Sequence, residues 1–146
     1  MVGNIGSGRL LHRGWRAPVL LYAGFAGMAV GAVVAFAPWA SGQAAALRYA
    51  GVLVFSAVGG LVPGTLFSLA VRLAPDEGTT STTVGWMQQW SSFGQFAGPP
   101  LVAAVAAGLG GWQATGWILA AFAASGLAIS AAIAALLARR GAGAAT

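Results

Sequence analysis

Five uncharged polar side chains lie within eight positions, from 88 to 95, in an otherwise apolar part of the segment between Thr79 and Pro100. In an α-helix four of them would share one face, because residues three and four positions apart lie on the same side. Amides and hydroxyls both donate and accept hydrogen bonds. The pattern therefore predicts the wall of a solute pathway, and its candidate substrate-binding residues are Gln88, Gln89, Ser91, Ser92 and Gln95, with Gln89 off the shared face.

The composition assigns the chain to a class of protein. Its 146 residues are 58% hydrophobic and only 6% charged, with a mean hydropathy of +0.81. A soluble domain is about 25% charged, so this chain has too few charges to cover a water-exposed surface. We therefore expect an all-α, polytopic integral membrane protein with the lipid bilayer as its surroundings.

All seven basic residues are arginines, and they give a net charge of +5. Such a charge also occurs in nucleic-acid-binding proteins, but there the basic residues form a patch. Here they are scattered at the ends of apolar segments, which is typical of an orientation signal for membrane insertion. We expect no nucleic-acid partner.

The residues needed for catalysis or metal binding are scarce. The chain has no cysteine, and its single His12 has no second metal ligand near it in sequence. No apolar segment holds a serine, a histidine and an acid as a catalytic set. We therefore expect neither an enzyme, nor a metal site, nor a cofactor.

Four apolar segments are each long enough to cross a hydrocarbon layer of about 30 Å as a helix. A basic start followed by an apolar run is also typical of a signal peptide, but the first run exceeds the usual 7–15 residues of such a peptide. We expect a basic cytoplasmic segment at 1–16, a four-helix membrane domain at 17–138 and a cytoplasmic tail at 139–146. The predicted spans are 17–40, 47–73, 83–107 and 114–138.

Glycine and proline predict where these helices are interrupted or closely packed. Helix breaks are expected in the second span at Gly60, Pro63 and Gly64, and in the third at Gly98, Pro99 and Pro100. Glycine pairs four apart, as at Gly27 and Gly31, allow helix backbones to approach closely. Ser81 or Thr82 is expected to cap the third span.

The distribution of polar side chains predicts which spans face a pathway. The second span has Ser56, Thr65 and Ser68 near its predicted break, and the third has the glutamines. The first span has no polar side chain between Ala23 and Ala37, and the hydroxyls of the fourth can bond to their own helix. We expect spans two and three to line the pathway and spans one and four to face lipid.

Four spans would place six arginines on one side of the membrane and Arg48 alone on the other. Basic residues collect on the cytoplasmic side, so both termini are expected to be cytoplasmic.

The segment from Gly8 to Arg16 resembles the cytoplasmic loop motif of the major facilitator superfamily. The motif combines a glycine, an acid–arginine pair, a second glycine and further basic residues. Gly8, Arg13, Gly14 and Arg16 match it, His12 stands where the family has its acid, and the basic residues include Arg9. The interrupted second span and Gly98-Pro99-Pro100 are similar to the tenth and eleventh helices of bacterial members such as cyanate- and nitroimidazole-type permeases.

This resemblance implies the ninth to twelfth helices of a bacterial inner-membrane transporter, with residues 1–7 ending the eighth helix. It implies a small-molecule solute as substrate, and the missing transporter helices or a partner chain as partners. A truncated gene product, a mis-called start and one part of a split protein all fit it. The lack of an acid at His12 places the family's gating ion pair in question.

Two other functions fit the residues. In a structural or accessory membrane protein, the glutamines would bond one helix to another. A small multidrug-type homo-oligomer also fits, although the spans hold no acid that could couple transport to protons.

Overall fold

The computed structural model describes residues 2–36 and 45–143, which form helices and turns without a strand. The six α-helices are α1 (Val2–His12), α2 (Ala17–Phe36), α3 (Ala45–Gly59), α4 (Leu61–Leu73), α5 (Thr80–Gly108) and α6 (Thr115–Gly143). Short 3₁₀ helices at Glu77–Thr79 and Trp112–Ala114 precede α5 and α6. The prediction of an all-α fold is confirmed.

Three helical segments in the described ranges are long and apolar enough to cross a membrane: Ala17–Phe36, Ala45–Leu73 and Thr115–Arg139. By length and composition the chain is therefore a multi-pass membrane protein. The predicted third span lies within α5, which has 29 residues and is about 43 Å long at 1.5 Å per residue. However, α5 is not among the three apolar segments. The end of the predicted first span, at 37–40, lies outside the described residues.

Helix α2 lies at the centre of the bundle. Leu20, Leu21 and Ala32 are fully buried, and α2 packs against α3, α4 and α6. The expectation that the first span faces lipid is therefore wrong within this chain. Its lack of polar side chains gave no information about position, because helices in a membrane associate through small residues rather than through hydrophobicity.

Glycines on α2 allow this close packing. A Cβ atom at Gly31 would lie 2.8 Å from the carbonyl oxygen of Gly51 and 2.8 Å from the amide nitrogen of Phe55. One turn earlier, a Cβ atom at Gly27 would lie 2.7 Å from a methyl group of Val58. The close helix approach predicted from the Gly27–Gly31 pair is therefore confirmed.

The second span is broken where the sequence predicts. α3 ends at Gly59 and α4 begins at Leu61, so Gly60 separates them, and Pro63 follows in the first turn of α4. Proline has no amide hydrogen, so it cannot donate to the carbonyl of Gly59 four residues earlier. The break at Gly60 and Pro63 is thus explained by the loss of one helical hydrogen bond.

Helix α1 packs against this break. A Cβ atom at Gly60 would lie 3.0 Å from the Cα atom of Gly3, and one at Gly64 would collide with the hydroxyl of Ser7. Ser7 is fully buried and donates to the carbonyl of Asn4 at 2.8 Å. Gly60 and Gly64 are therefore packing residues for α1 as well as part of the break.

The N-terminal basic segment is mainly helical. The family resemblance implied a helix only up to residue 7, but α1 extends to His12, into the segment predicted as a cytoplasmic loop. Gly8, Arg9 and His12 lie in α1, and only Arg13 to Arg16 form a connection. Gly14 has a φ of 86°, a conformation that glycine adopts without strain. Tertiary contacts with α4 stabilise α1 despite its three glycines, because packing overrides weak helix propensity.

Helix α5 continues without interruption through Pro99 and Pro100. The break predicted at Gly98, Pro99 and Pro100 is therefore not seen as an end of the helix. The two prolines still remove the amide donors that the carbonyls of Gln95 and Phe96 would receive in an uninterrupted helix. The effect of these residues is a local loss of two hydrogen bonds.

An acid, Asp76, caps the short 3₁₀ helix that leads into α5. The Asp76 carboxylate accepts from the amide of Thr79 at 2.8 Å, and the Thr79 hydroxyl accepts from the amide of Asp76 at 3.2 Å. This reciprocal pair satisfies two amides at the helix entry. The prediction of a cap at Ser81 or Thr82 is wrong, because both residues lie inside α5.

Arginines are segregated between the two ends of the bundle. Arg16 and Arg72 lie around one cavity with Ala138, close to Arg139 in sequence, while Arg48 donates through Nε to the carbonyl of Ala35 at the opposite end. α2 runs antiparallel to α3–α4 and to α6. α2 therefore begins at the arginine-rich end of the bundle, and α6 ends there.

The glycine contacts predict different results for two substitutions of the same kind. Gly31→Ala should lower the free energy of unfolding by about 1–3 kcal/mol, because its methyl group overlaps backbone atoms of α3. Gly94→Ala should leave it unchanged or raise it by up to about 1 kcal/mol, since no described atom lies within 4 Å of that position. Unfolding in mixed micelles, followed by circular dichroism, measures both; equal losses would contradict the packing described.

Candidate functional site

A cavity of about 690 Å³ lies between α2, the broken α3–α4 helix and α5. It is open on one side, and all three walls are helical. The α5 wall contributes Gln88, Ser91 and Gln95, so three of the five predicted polar residues come together here. The other residues around the cavity are Phe25, Met28, Gly59, Val62, Pro63, Leu66, Phe67, Met87 and Trp90.

The polar residues of α5 form hydrogen bonds along their own helix. Gln95 donates through Nε2 to the hydroxyl of Ser91 at 3.2 Å. Gln88 donates through Nε2 to the hydroxyl of Ser92 at 3.4 Å. Both pairs are four residues apart and exposed, so each amide retains a carbonyl oxygen and a second amide hydrogen for another partner.

Gln89 does not belong to this cavity. It lies in a separate groove of about 110 Å³ together with Trp86, Trp90 and Phe93. Phe96, on the same outer side of α5, is 81% exposed. The grouping of Gln89 with the pathway residues is therefore not supported, because its position about 100° from Gln88 turns it toward the aromatic outer face of the helix. Ser92 is not among the cavity-lining residues, and its hydroxyl accepts the hydrogen bond from Gln88.

The predicted helix break contributes to the cavity through only part of its residues. Gly59 and Pro63 line it, while Gly60 and Gly64 are covered by α1. The proline therefore has two effects: it interrupts the helix and presents a rigid ring to the cavity. Gly98 lines a second groove of about 300 Å³ between α5 and Phe122 of α6.

Aromatic and methionine side chains complete the cavity walls. Phe25 and Met28 come from α2, Phe67 from α4, and Met87 and Trp90 from α5. Phe25 is held in place from behind by Gly126, where a Cβ atom would collide with its ring. Sequence reasoning missed Phe25 and Met28 because it assigned the first span to the lipid face. Aromatic residues on a glycine-rich helix were the available signal.

No charged residue lines the described part of this cavity. Its chemistry consists of uncharged amides and hydroxyls on one wall and flat or flexible apolar surfaces on the others. Methionine adapts its shape to irregular ligands, and aromatic rings provide broad contact surfaces. The arrangement offers hydrogen-bond donors and acceptors on one wall and apolar contact surfaces on the others.

The residues of the predicted loop motif lie away from this cavity. Arg9, His12, Arg13 and Arg16 are exposed at the arginine-rich end, and Gly14 forms the turn between α1 and α2. Within the described ranges, no group of three or more His, Cys, Asp or Glu residues is placed to hold a metal ion.

Comparison of the chain with protein-family models, with curated proteins and with solved structures gives no match.

Proposed function

We propose that the chain forms one wall of a solute pathway through a membrane, as the C-terminal portion of a transporter of the major-facilitator type. The missing transporter helices, or a partner chain, would complete the pathway. The substrate would be a small molecule, and the membrane would be the bacterial inner membrane. The loop-motif residues and the interrupted second span are the sequence features behind this assignment.

The observation that carries the proposal is the cavity between α5 and the α3–α4 break. It combines a polar helix face with a helix interrupted by proline, and transporter sites are typically built from discontinuous helices near the bilayer midplane. Gln95 is the sixteenth residue of a 29-residue helix, so it lies close to the middle of α5. An amide at that depth would be costly against lipid, and a hydrated cavity or a protein partner removes the cost.

The proposal includes four membrane crossings with both termini in the cytoplasm. Hydropathy supports three crossings. We take α5 as the fourth, because it connects the two ends of the bundle. It begins after α4, near Arg72, and it leads to α6, which starts at the opposite end. Lipid alone would not stabilise this amphipathic helix, but protein covering its polar face would.

A structural or accessory membrane protein is the second candidate function. The observation in its favour is that Gln88 and Gln95 already have partners on their own helix. No solute is needed to satisfy those two amide hydrogens. In that case the cavity would be filled by a side chain of a partner helix, and each glutamine would make an interhelical polar contact worth about 0.6 kcal/mol.

Thiol labelling in membrane vesicles separates the two functions. The chain has no cysteine, so Gln95→Cys and Phe96→Cys each provide a single reporter, one on the cavity and one on the outer face. A small water-soluble thiol reagent should modify position 95 faster than position 96, and a transported solute should slow the reaction at position 95 only. If positions 88, 92 and 95 are all unreactive, the glutamines are packing contacts and the pathway is refuted.

Reconstitution tests whether the chain transports a solute without further helices. The purified chain alone in proteoliposomes should show no saturable uptake, because the cavity is open on the side where further helices would close it. Saturable uptake by the chain alone would contradict a partial transporter and favour a homo-oligomer.

Orientation is tested by reporter insertion. A reporter fused after Thr146 should be active in the cytoplasm, and one inserted at Gln43 should be active outside, because the arginines are retained on the cytoplasmic side. An external C-terminus would contradict both the orientation and the proposed place of the chain in a transporter.

A further inference from the structure

A second cavity, of about 580 Å³, opens at the arginine-rich end between α2, α4 and α6. Arg16 stands immediately before α2, and Arg72 lies in the last turn of α4. Both side chains line the cavity, and no acidic residue lines its described part. The cavity therefore combines two guanidinium groups with no carboxylate.

The two arginines are available for a ligand. Asp76 and Glu77 are the only acids in the chain, and the Asp76 carboxylate accepts from the Thr79 amide at the start of α5. Within the described part of the chain neither guanidinium has an ion-pair or hydrogen-bond partner. α2 begins at Ala17 beside the same cavity, so the positive end of its dipole adds to the field.

The remaining walls are apolar and continue along the bundle. Leu69 is buried at the base of the cavity, with Leu73 and Leu137 at its sides. Leu73 and Leu137 also line an adjoining groove with Ile133 and Leu136, which has no polar side chain in its lining. A charged mouth thus leads into an aliphatic groove between α4 and α6.

We propose that this cavity binds one anionic phospholipid. Its phosphate would lie between Arg16 and Arg72, and an acyl chain would follow the leucine-lined groove. Charge complementarity favours an anionic headgroup, and basic pockets between membrane helices are known to bind such headgroups. The depth agrees, because Trp15 is 52% exposed beside Arg16 and tryptophan is typical of the headgroup level.

Native mass spectrometry of the full chain in a neutral detergent tests this site, with dioleoyl phosphatidylglycerol as the probe. The wild type should retain one phosphatidylglycerol per chain and should not retain phosphatidylcholine at the same concentration. Arg16→Gln with Arg72→Gln should weaken retention about 25-fold, at roughly fivefold per arginine near an anionic headgroup. Arg16→Lys with Arg72→Lys should restore most of it, since lysine also binds phosphate as a point charge.

The matched control is Arg9→Gln with Arg139→Gln. It removes the same charge from the same end of the bundle, but neither arginine lines the cavity. It should retain phosphatidylglycerol as the wild type does, and circular dichroism should show equal helix content in all variants. If both glutamine pairs weakened phosphatidylglycerol retention equally, the effect would depend only on net charge, and the proposal would be overturned.

Two further results would also overturn it. Equal retention of phosphatidylcholine would mean that the headgroup charge is not recognised. Complete displacement of the lipid by millimolar inorganic phosphate would mean that the arginines bind a free anion and that the leucine-lined groove contributes nothing. Persistence of the bound lipid in phosphate buffer is the expected result.

Discussion

The close approach of α2 to α3 at Gly31 and Gly51 is the contact on which the rest of the bundle depends. A Cβ atom at Gly31 would lie 2.8 Å from the carbonyl oxygen of Gly51, and one at Gly51 would lie 3.0 Å from the carbonyl oxygen of Gly31. Neither position has room for a methyl group unless the backbone shifts. This contact holds the α3 half of the second span against α2. Gly24 extends the same face to Val62, beyond the break at Gly60. Because α3 and α4 both pack against α2, the cavity wall at Gly59 and Pro63 has a fixed position relative to Phe25 and Met28.

Helix α5 differs from the others in how little of it is covered. Among its described residues only Ala106 is buried, whereas α2 has buried residues along its whole length. Such a helix is stable in a bilayer only if protein or water meets its amides, since each unsatisfied polar group there costs several kcal/mol. The same residues that make α5 a poor lipid-facing helix make it suitable as one side of a pathway. The solute proposal and the need for covering helices therefore arise from one physical constraint.

Several features could be predicted from sequence because they depend on local properties. Apolar length gave the positions of α2, α3–α4 and α6, and proline chemistry gave the break before Pro63. The central position of α2 could not be predicted, because the glycines on its face do not show which helix backbone packs against them. The extent of α1 to His12 was not predicted, and a helix at residues 1–7 was expected only from the family resemblance. Gly3 disfavours a helix in isolation and favours it against Gly60.

Other features of α5 also had signals in the sequence. The helical angle already placed Gln89 off the face that Gln88 shares with Gln95, and its neighbours Trp86 and Phe93 marked an outer face. Asp76, three residues before Thr79, was an available capping pattern. A break within the third span was predicted at Pro99 and Pro100, although prolines are tolerated inside membrane helices where other groups satisfy the freed carbonyls.

If α5 lines a pathway, the face with Gln88 and Gln95 is in contact with water, and the outer face with Gln89 is not. Water-edited solid-state NMR of the glutamine-labelled chain in bilayers measures this directly, because magnetisation passes from water only to nearby side-chain amides. The chain has five glutamines, and three of them lie on α5. Transfer should be fast to Gln88 and Gln95 and slow to Gln89. Slow transfer to all three, or faster transfer to Gln89 than to Gln95, would contradict it.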